Sequence, residues 1–163
     1  MNKETCNQLS AYLKAIRLEK GMKQSDLAER TGLSACQISR LEASLSDLTV
    51  SSIIRIAKEL DLSLENILTE LGITSTFAKA TNEVSFQNFG SFLREYRKSK
   101  KVTQQVLSGK IQASYKTLIR FEQSQTHRLS FTEIVSIDKA LCADGELIAA
   151  AWREGERHLT RKE

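Results

Sequence analysis

The sequence predicts an all-α protein built as two tandem five-helix units, and three observations carry that expectation. Its 163 residues include no Pro, seven Gly and 6% aromatics, which suits short helices joined by polar turns better than strands and hairpins. Apolar residues recur at i, i+3, i+4 and i+7 in stretch after stretch, the spacing that lines one face of a helix. The third observation is a duplication. At an offset of 80, without a gap from position 9 to 42, the second half repeats the first at Leu13/Leu93, Arg17/Arg97, Lys20/Lys100, Gln24/Gln104, Leu27/Leu107, Ser34/Ser114, Arg40/Arg120 and Glu42/Glu122. After one inserted residue the offset is 81, and Leu48, Ile53, Ile56, Lys58 and Leu60 pair with Leu129, Ile134, Ile137, Lys139 and Leu141. A period this long means tandem domains and not a solenoid of short repeats. The expected boundaries are 1–71 for the first domain, 72–86 for a linker and 87–163 for the second.

Taken in order, a first helix is expected after Thr5, which is spaced from Gln8 for a capping box. Its inward face carries Leu9, Tyr12, Leu13 and Ile16, and Gly21 ends it. Lys23 to Glu42 then describes two short helices meeting at a sharp bend. Leu27 and Ala28 share one face of the first, and Gly32 stands where a left-handed C-terminal cap belongs. Ser34 and Gln37 form an S-x-x-Q capping box that opens the second, whose Ile38 and Leu41 turn inward while Cys36 and Arg40 face outward. After the polar loop Ala43 to Asp47, Thr49 caps a fourth helix that buries Ile53, Ile56, Ala57 and Leu60. Beyond Asp61 and Ser63, a fifth presents Leu64, Ile67, Leu68 and Leu71.

Residues 72–86, GITSTFAKATNEVSF, lose this periodicity and are rich in Thr, Ser and Ala. The pattern then returns with Phe89, Phe92, Leu93 and Tyr96, with Leu118 and Phe121, with a Ser130/Glu133 capping box, and with Ile148, Ala149 and Trp152 as the fifth helix. The second copy departs at three places: Lys101, Ser108 and Gln112 stand where the first has Gly21, Ala28 and Gly32. A non-Gly residue in a left-handed conformation costs about 1 kcal/mol, which leaves open whether the second bend keeps the shape of the first.

The order Gln24, Leu27-Ala28, Gly32, Ser34, Ile38 and Glu42 resembles the lambda-repressor-like, or Xre, family of helix-turn-helix DNA-binding domains. Five short helices are that family's full complement, and the resemblance covers nearly the whole chain. It implies that the third helix of each unit enters the major groove of double-stranded DNA, with N-terminal residues reaching base edges. The reading residues are then Ala35, Cys36, Gln37 and Arg40 after the Ser34 cap, and Tyr115, Lys116, Thr117 and Arg120 after Ser114. Small side chains suit a thymine methyl, an amide suits adenine and an Arg suits guanine. Gln37 has a second reading, folded back as partner in the capping box, and Arg40 could instead pair with a neighbouring acid. Gln24 and Gln104 stand at helix N-termini where phosphate oxygens can be held, as the resemblance also implies, with Lys23, Thr103 and the cluster Arg97, Lys98, Lys100 and Lys101 beside them. Cys36 on this face reads as a small tolerated side chain or as a redox switch.

The net charge of +4 is unevenly placed: residues 1–72 hold nine Lys/Arg against ten Asp/Glu, whereas 73–163 hold fifteen against ten. Residues 89–128 alone carry nine Lys/Arg and two Glu, which favours the second copy for phosphate attraction. Three scattered cysteines suggest neither a disulfide framework nor a zinc site and fit a reducing cytoplasm. No signal-peptide core is present, and the longest apolar run, Leu147 to Trp152, is too short to span a bilayer. His127 and His158 lack partners at ligand or triad spacing, and no phosphate loop or nucleophile elbow exists, so neither an enzyme nor a cofactor is expected. About a dozen residues follow the last expected helix, so no ligand-binding or self-cleaving effector domain is expected.

The expected function is a sequence-specific transcriptional regulator, a repressor, from a bacterium or a mobile element. The alternative is an antitoxin-like or anti-activator module in which one copy grips a regulatory protein instead of DNA. With unlike readers in its two copies, one chain should prefer a site with two unlike halves. A homodimer formed through Leu147 to Trp152 would lengthen that site into a palindrome of such pairs.

Overall fold

The protein is described by a computed structural model over residues 3–73, 88–123 and 130–160. Ten helices follow in order: α1 (Lys3–Glu19), α2 (Gln24–Thr31), α3 (Ala35–Glu42), α4 (Val50–Glu59), α5 (Leu64–Glu70), α6 (Phe89–Ser99), α7 (Gln104–Lys110), α8 (Tyr115–Gln123), α9 (Phe131–Leu141) and α10 (Glu146–Thr160). The architecture is all-α, with two five-helix units in tandem. Among the described residues, extended pairing is confined to one antiparallel bridge between Thr49 and Ser130. No described helix is long and apolar enough to cross a membrane.

The caps explain most element boundaries. Ser34, Thr49, Ser63, Thr103 and Ser130 each accept a hydrogen bond from the backbone N–H three residues on, satisfying a donor the helix cannot use itself. Asn88, which the periodicity does not single out, does the same for α6. Gly21 and Gly32 both take positive φ at helix ends, as their positions predict. Residues 74–86 of the expected linker 72–86 lie outside the described residues, but Gly72 and Ile73, its first two, finish the first unit. Gly72 turns at φ 66° and Ile73 packs into the core, its N–H donating to the Leu68 carbonyl at 2.9 Å.

Two helix ends differ from the sequence reading. Helix α1 starts at Lys3, so Thr5 is an interior residue, 1% exposed, with no helix start to cap. Helix α10 runs past Trp152 to Thr160, because Gly155 allows it to cross α4 at close range. A Cβ on Gly155 would stand 2.6 Å from Ile54 Cδ1 and 3.3 Å from Val50 Cγ1.

The same crossing removes the expected dimer face. Leu147, Ile148, Ala149, Ala151 and Trp152 are all buried within the chain, where α10 packs against α4, α6 and α9. A homodimer through Leu147 to Trp152 is therefore excluded, since exposing those residues would dismantle the core. That core is one continuous apolar cluster drawn from both units, with Val50, Ile54 and Phe131 at their junction. Polar groups reinforce the junction: Phe131 N–H donates to the Leu48 carbonyl at 2.9 Å, and the Thr132 hydroxyl donates to the Asp47 carboxylate.

Two buried carboxylates organise the second unit. Asp138 on α9 accepts from the N–H groups of Gly145, Leu147 and Ile148, capping α10 from a neighbouring helix. Burial pushes its carboxyl above the ordinary value, and these backbone donors only partly offset that. Glu154 on α10 accepts from the Phe89 N–H at the start of α6.

Candidate nucleic-acid interface

Each unit holds its helix-turn-helix with the same two devices. The first is the bend. At the end of α2, Gly32 N–H donates to the Glu29 carbonyl at 3.3 Å and Leu33 N–H to the Ala28 carbonyl at 3.1 Å. At the end of α7, Gln112 N–H reaches the Gly109 carbonyl at 3.3 Å and Ala113 N–H the Ser108 carbonyl at 3.0 Å, with Gln112 at φ 53°. The question left by the missing glycine is answered: the second bend has the same form, held by the surrounding packing in spite of a strained backbone. In the first unit alone, Arg55 Nη1 also donates to the Thr31 carbonyl at 3.1 Å; the corresponding residue on α9 is Ser136.

The second device is a buried ion-pair network. Arg17 donates to both Glu42 oxygens at 2.5 and 2.8 Å and to the Met22 carbonyl at 2.5 Å, while Gln24 donates to Glu42 Oε2 at 2.8 Å. Arg97, Glu122, Val102 and Gln104 repeat it at 2.6, 3.1, 2.7 and 2.7 Å. The network ties the end of the unit's first helix, the turn after it, the start of the second helix and the end of the third into one block. Burial alone would raise the Glu42 carboxyl, but the hydrogen bonds from Arg17 and Gln24 and the Arg17 charge outweigh it and hold it below its ordinary value.

On the outer face of α3, Ala35, Cys36 and Arg40 are exposed, and among the described residues Arg40 makes no ion pair. Gln37 takes its capping role: its Oε1 accepts from the Ser34 N–H at 2.9 Å, and its own N–H donates to Ser34 Oγ at 3.2 Å. On α8, Lys116 and Arg120 are exposed and equally without an ion-pair partner there. Thr117 turns back toward its cap, with Oγ1 2.7 Å from Ser114 Oγ, and Tyr115 is half exposed with its hydroxyl donating to Gln104 Oε1 at 3.1 Å.

The expected phosphate-binding residues are only partly arranged for that role. One amide N–H of Gln24 and of Gln104 is committed inward to a glutamate, so what the α2 and α7 N-termini offer outward is mainly unsatisfied backbone N–H. Thr103 Oγ1 is the α7 cap, 3.2 Å from the Val106 N–H. Lys23, Lys100 and Lys101 are exposed beside these starts, with Lys100 Nζ 5.3 Å from the Tyr96 ring centroid and Lys101 on a left-handed turn. His127 lies outside the described residues, and His158 sits 3.6 Å from Glu154, away from this face.

The residue-level reading missed the Arg–Glu–Gln network. Its signal was available in the duplication: 17/97, 24/104 and 42/122 are an Arg, a Gln and a Glu kept identical in both copies, a donor–acceptor set whose members can meet only across the fold.

This fold and face define the class of helix-turn-helix DNA-binding regulators. The comparisons with known proteins agree: one family profile, described as Helix-turn-helix, matches residues 13–67, and another, Helix-turn-helix domain, matches residues 88–151. The chain belongs to the lambda-repressor-like helix-turn-helix DNA-binding family and carries two copies of its domain. No curated protein matches the chain. Among solved structures it is similar to the crystal structure of an HTH_3 family transcriptional regulator from Vibrio cholerae. The likeness has 21% identity and a TM-score of 0.42 over 45% of this chain and 43% of that one, so the chain spans under half the length of that regulator.

Proposed function

We propose that the protein is a sequence-specific transcriptional regulator that reads double-stranded DNA with α3 and α8 and acts as a repressor by occupying its site. The observation that carries this reading is the repeated presentation of an exposed arginine, Arg40 and Arg120, with no ion pair among the described residues, at the same position on two helices anchored by the same buried network. An arginine free of a carboxylate partner can place its planar fork on guanine O6 and N7. The first unit reads with Ala35, Cys36 and Arg40, and the second with Tyr115, Lys116 and Arg120. Phosphates are held by the α2 and α7 starts with Lys23, Lys100 and Lys101. The protein works in the cytoplasm, where its three free cysteines stay reduced.

Selection of bound sequences from random duplex DNA, followed by affinity measurement at two salt concentrations, tests this. With some six to ten phosphates contacted, affinity should fall roughly 10³ to 10⁵-fold between about 50 and 200 mM salt. Arg40→Ala and Arg120→Ala should each cost about 1–3 kcal/mol and relax preference at different positions of the site. A flat salt response with no enriched sequence would overturn the proposal in favour of a protein-binding module.

A further inference from the structure

We infer that a single chain recognises two unlike half-sites placed head to head at one fixed spacing, as a pseudo-dimer closed within one polypeptide. The inference rests on the DNA-binding reading above and adds the arrangement of the target. Its starting point is the antiparallel bridge between Thr49 and Ser130. These are equivalent residues at the offset of 81, each the N-cap of its unit's fourth helix, with matching backbones at φ −65°, ψ 156° and φ −72°, ψ 151°. In an antiparallel pair, a residue that faces its own counterpart has a local two-fold axis between the two strands. The rotation that carries Thr49 onto Ser130 therefore carries α4 onto α9. Because both units share the same bend and the same Arg–Glu–Gln network, it carries α3 onto α8 as well. A head-to-tail arrangement would relate the units by translation and could not set Thr49 antiparallel to its counterpart. The recognition helices are thus inverted with respect to each other, the relation that two-fold dimers of groove-reading helices use on palindromic DNA.

The spacing is fixed by α10. Its first turns complete the second unit, with Trp152 packed edge-on to Phe131 at 6.4 Å between ring centroids. Its later turns cross the axis, where Gly155 lies against Val50 and Ile54 of α4. Among the described residues the seven-residue α5 packs chiefly on α1 of its own unit, whereas the fifteen-residue α10 packs on α9 and α6 of its own unit and on α4 of the other, so one long helix clasps both units. Val50 and Ile54 are 1% and 0% exposed, so the apolar residues of α4 at this axis are covered by the chain's own α10. The pseudo-two-fold is accordingly saturated within one polypeptide, and one chain should occupy one site. Its halves are unlike because α3 offers Ala35, Cys36 and Arg40, whereas α8 offers Tyr115, Lys116 and Arg120.

The test uses the full chain and random-core duplex DNA. The enriched motif should hold two unlike halves in inverted orientation at a single spacing, and native mass spectrometry should find one chain per duplex. Inserting about half a turn or one full turn, roughly 5 or 10 base pairs, between the halves should each lower affinity on the order of 100-fold, since a rigid pair cannot engage both. Direct repeats, two chains per duplex, or recovery with the full-turn insertion would overturn the arrangement while leaving DNA binding intact. Absence of any enriched motif would instead remove the DNA-binding reading, and this inference with it.

Discussion

Replacing Glu42 by Gln probes the block that presents α3. Both partners of the pair are nearly sealed from water, with the Arg17 and Glu42 side chains 6% and 4% exposed, and the carboxylate receives three hydrogen bonds from Arg17 and Gln24. The amide keeps the volume but removes the charge, leaving a buried guanidinium without its counter-ion and turning one acceptor into a donor aimed at donors. Breaking a buried pair from one side costs about 3–5 kcal/mol, and the surviving carbonyl acceptor places this change near the lower end, about 3 kcal/mol. That is a large share of the 5–15 kcal/mol typical of a folded domain. The loss should depend on pH with a definite sign. The folded Glu42 carboxyl titrates below its ordinary value near 4.5, so the pair stabilises the fold above that pH and ceases to do so as pH falls through the lower, folded value. Urea unfolding followed by circular dichroism should therefore show a gap of about 3 kcal/mol between wild type and Glu42→Gln at neutral pH, narrowing in acid. A variant within about 0.5 kcal/mol of wild type at neutral pH, or a gap that acid leaves unchanged, would refute this account.

Three further substitutions test the backbone argument by the same unfolding measurement. Gln112→Gly relieves the left-handed strain of the second bend, worth about 1 kcal/mol, against part of that amount in unfolded-chain entropy, so stability should rise by about 0.5 kcal/mol; a loss would show that the Gln side chain contributes more than its strain costs. Gly90→Ala should destabilise by about 1 kcal/mol or more, because its Cβ would stand 2.5 Å from the Glu122 carbonyl oxygen and 3.0 Å from that of Phe121, backbone that cannot step aside, and this outweighs the gain in helix propensity. Gly109→Ala, with nothing within 4 Å of its Cβ, should stabilise by up to about 1 kcal/mol; the same sign for both glycines would refute the close approach of α6 and α8.

Much of each unit was legible because it is built from local signals. Ser34 with Gln37 and Ser130 with Glu133 form their capping boxes as their spacing requires, and the apolar faces of α3, α4 and α8 are buried where periodicity places them. The reading weakened where a side chain had two partners of comparable worth. Gln37 could meet an adenine or the Ser34 N–H, and without DNA the local bond prevails; Gln24 could meet a phosphate or Glu42, and the buried carboxylate takes it. Such choices depend on what lies across the fold, which spacing within one helix does not encode.

The junction of the units was illegible for a related reason. Thr49 and Ser130 read as ordinary caps and serve as caps; that they also meet each other is a property of backbone strips with no side-chain pattern of their own. The apolar residues that did carry information there were assigned to the wrong partner. Leu147 to Trp152 reads as an apolar run free for a second chain because nothing in its own pattern says which element of the same chain covers it. In the fold most of the run is buried, and Gly155, three residues on, lies so near α4 that a Cβ there would meet Ile54 and Val50. A glycine inside a helix has two opposite uses, to end it or to let another element come near, and only the neighbour's position separates them. Here the neighbour is α4, and a Cβ on Gly155 would stand 2.6 Å from Ile54 Cδ1, so the glycine serves the second use.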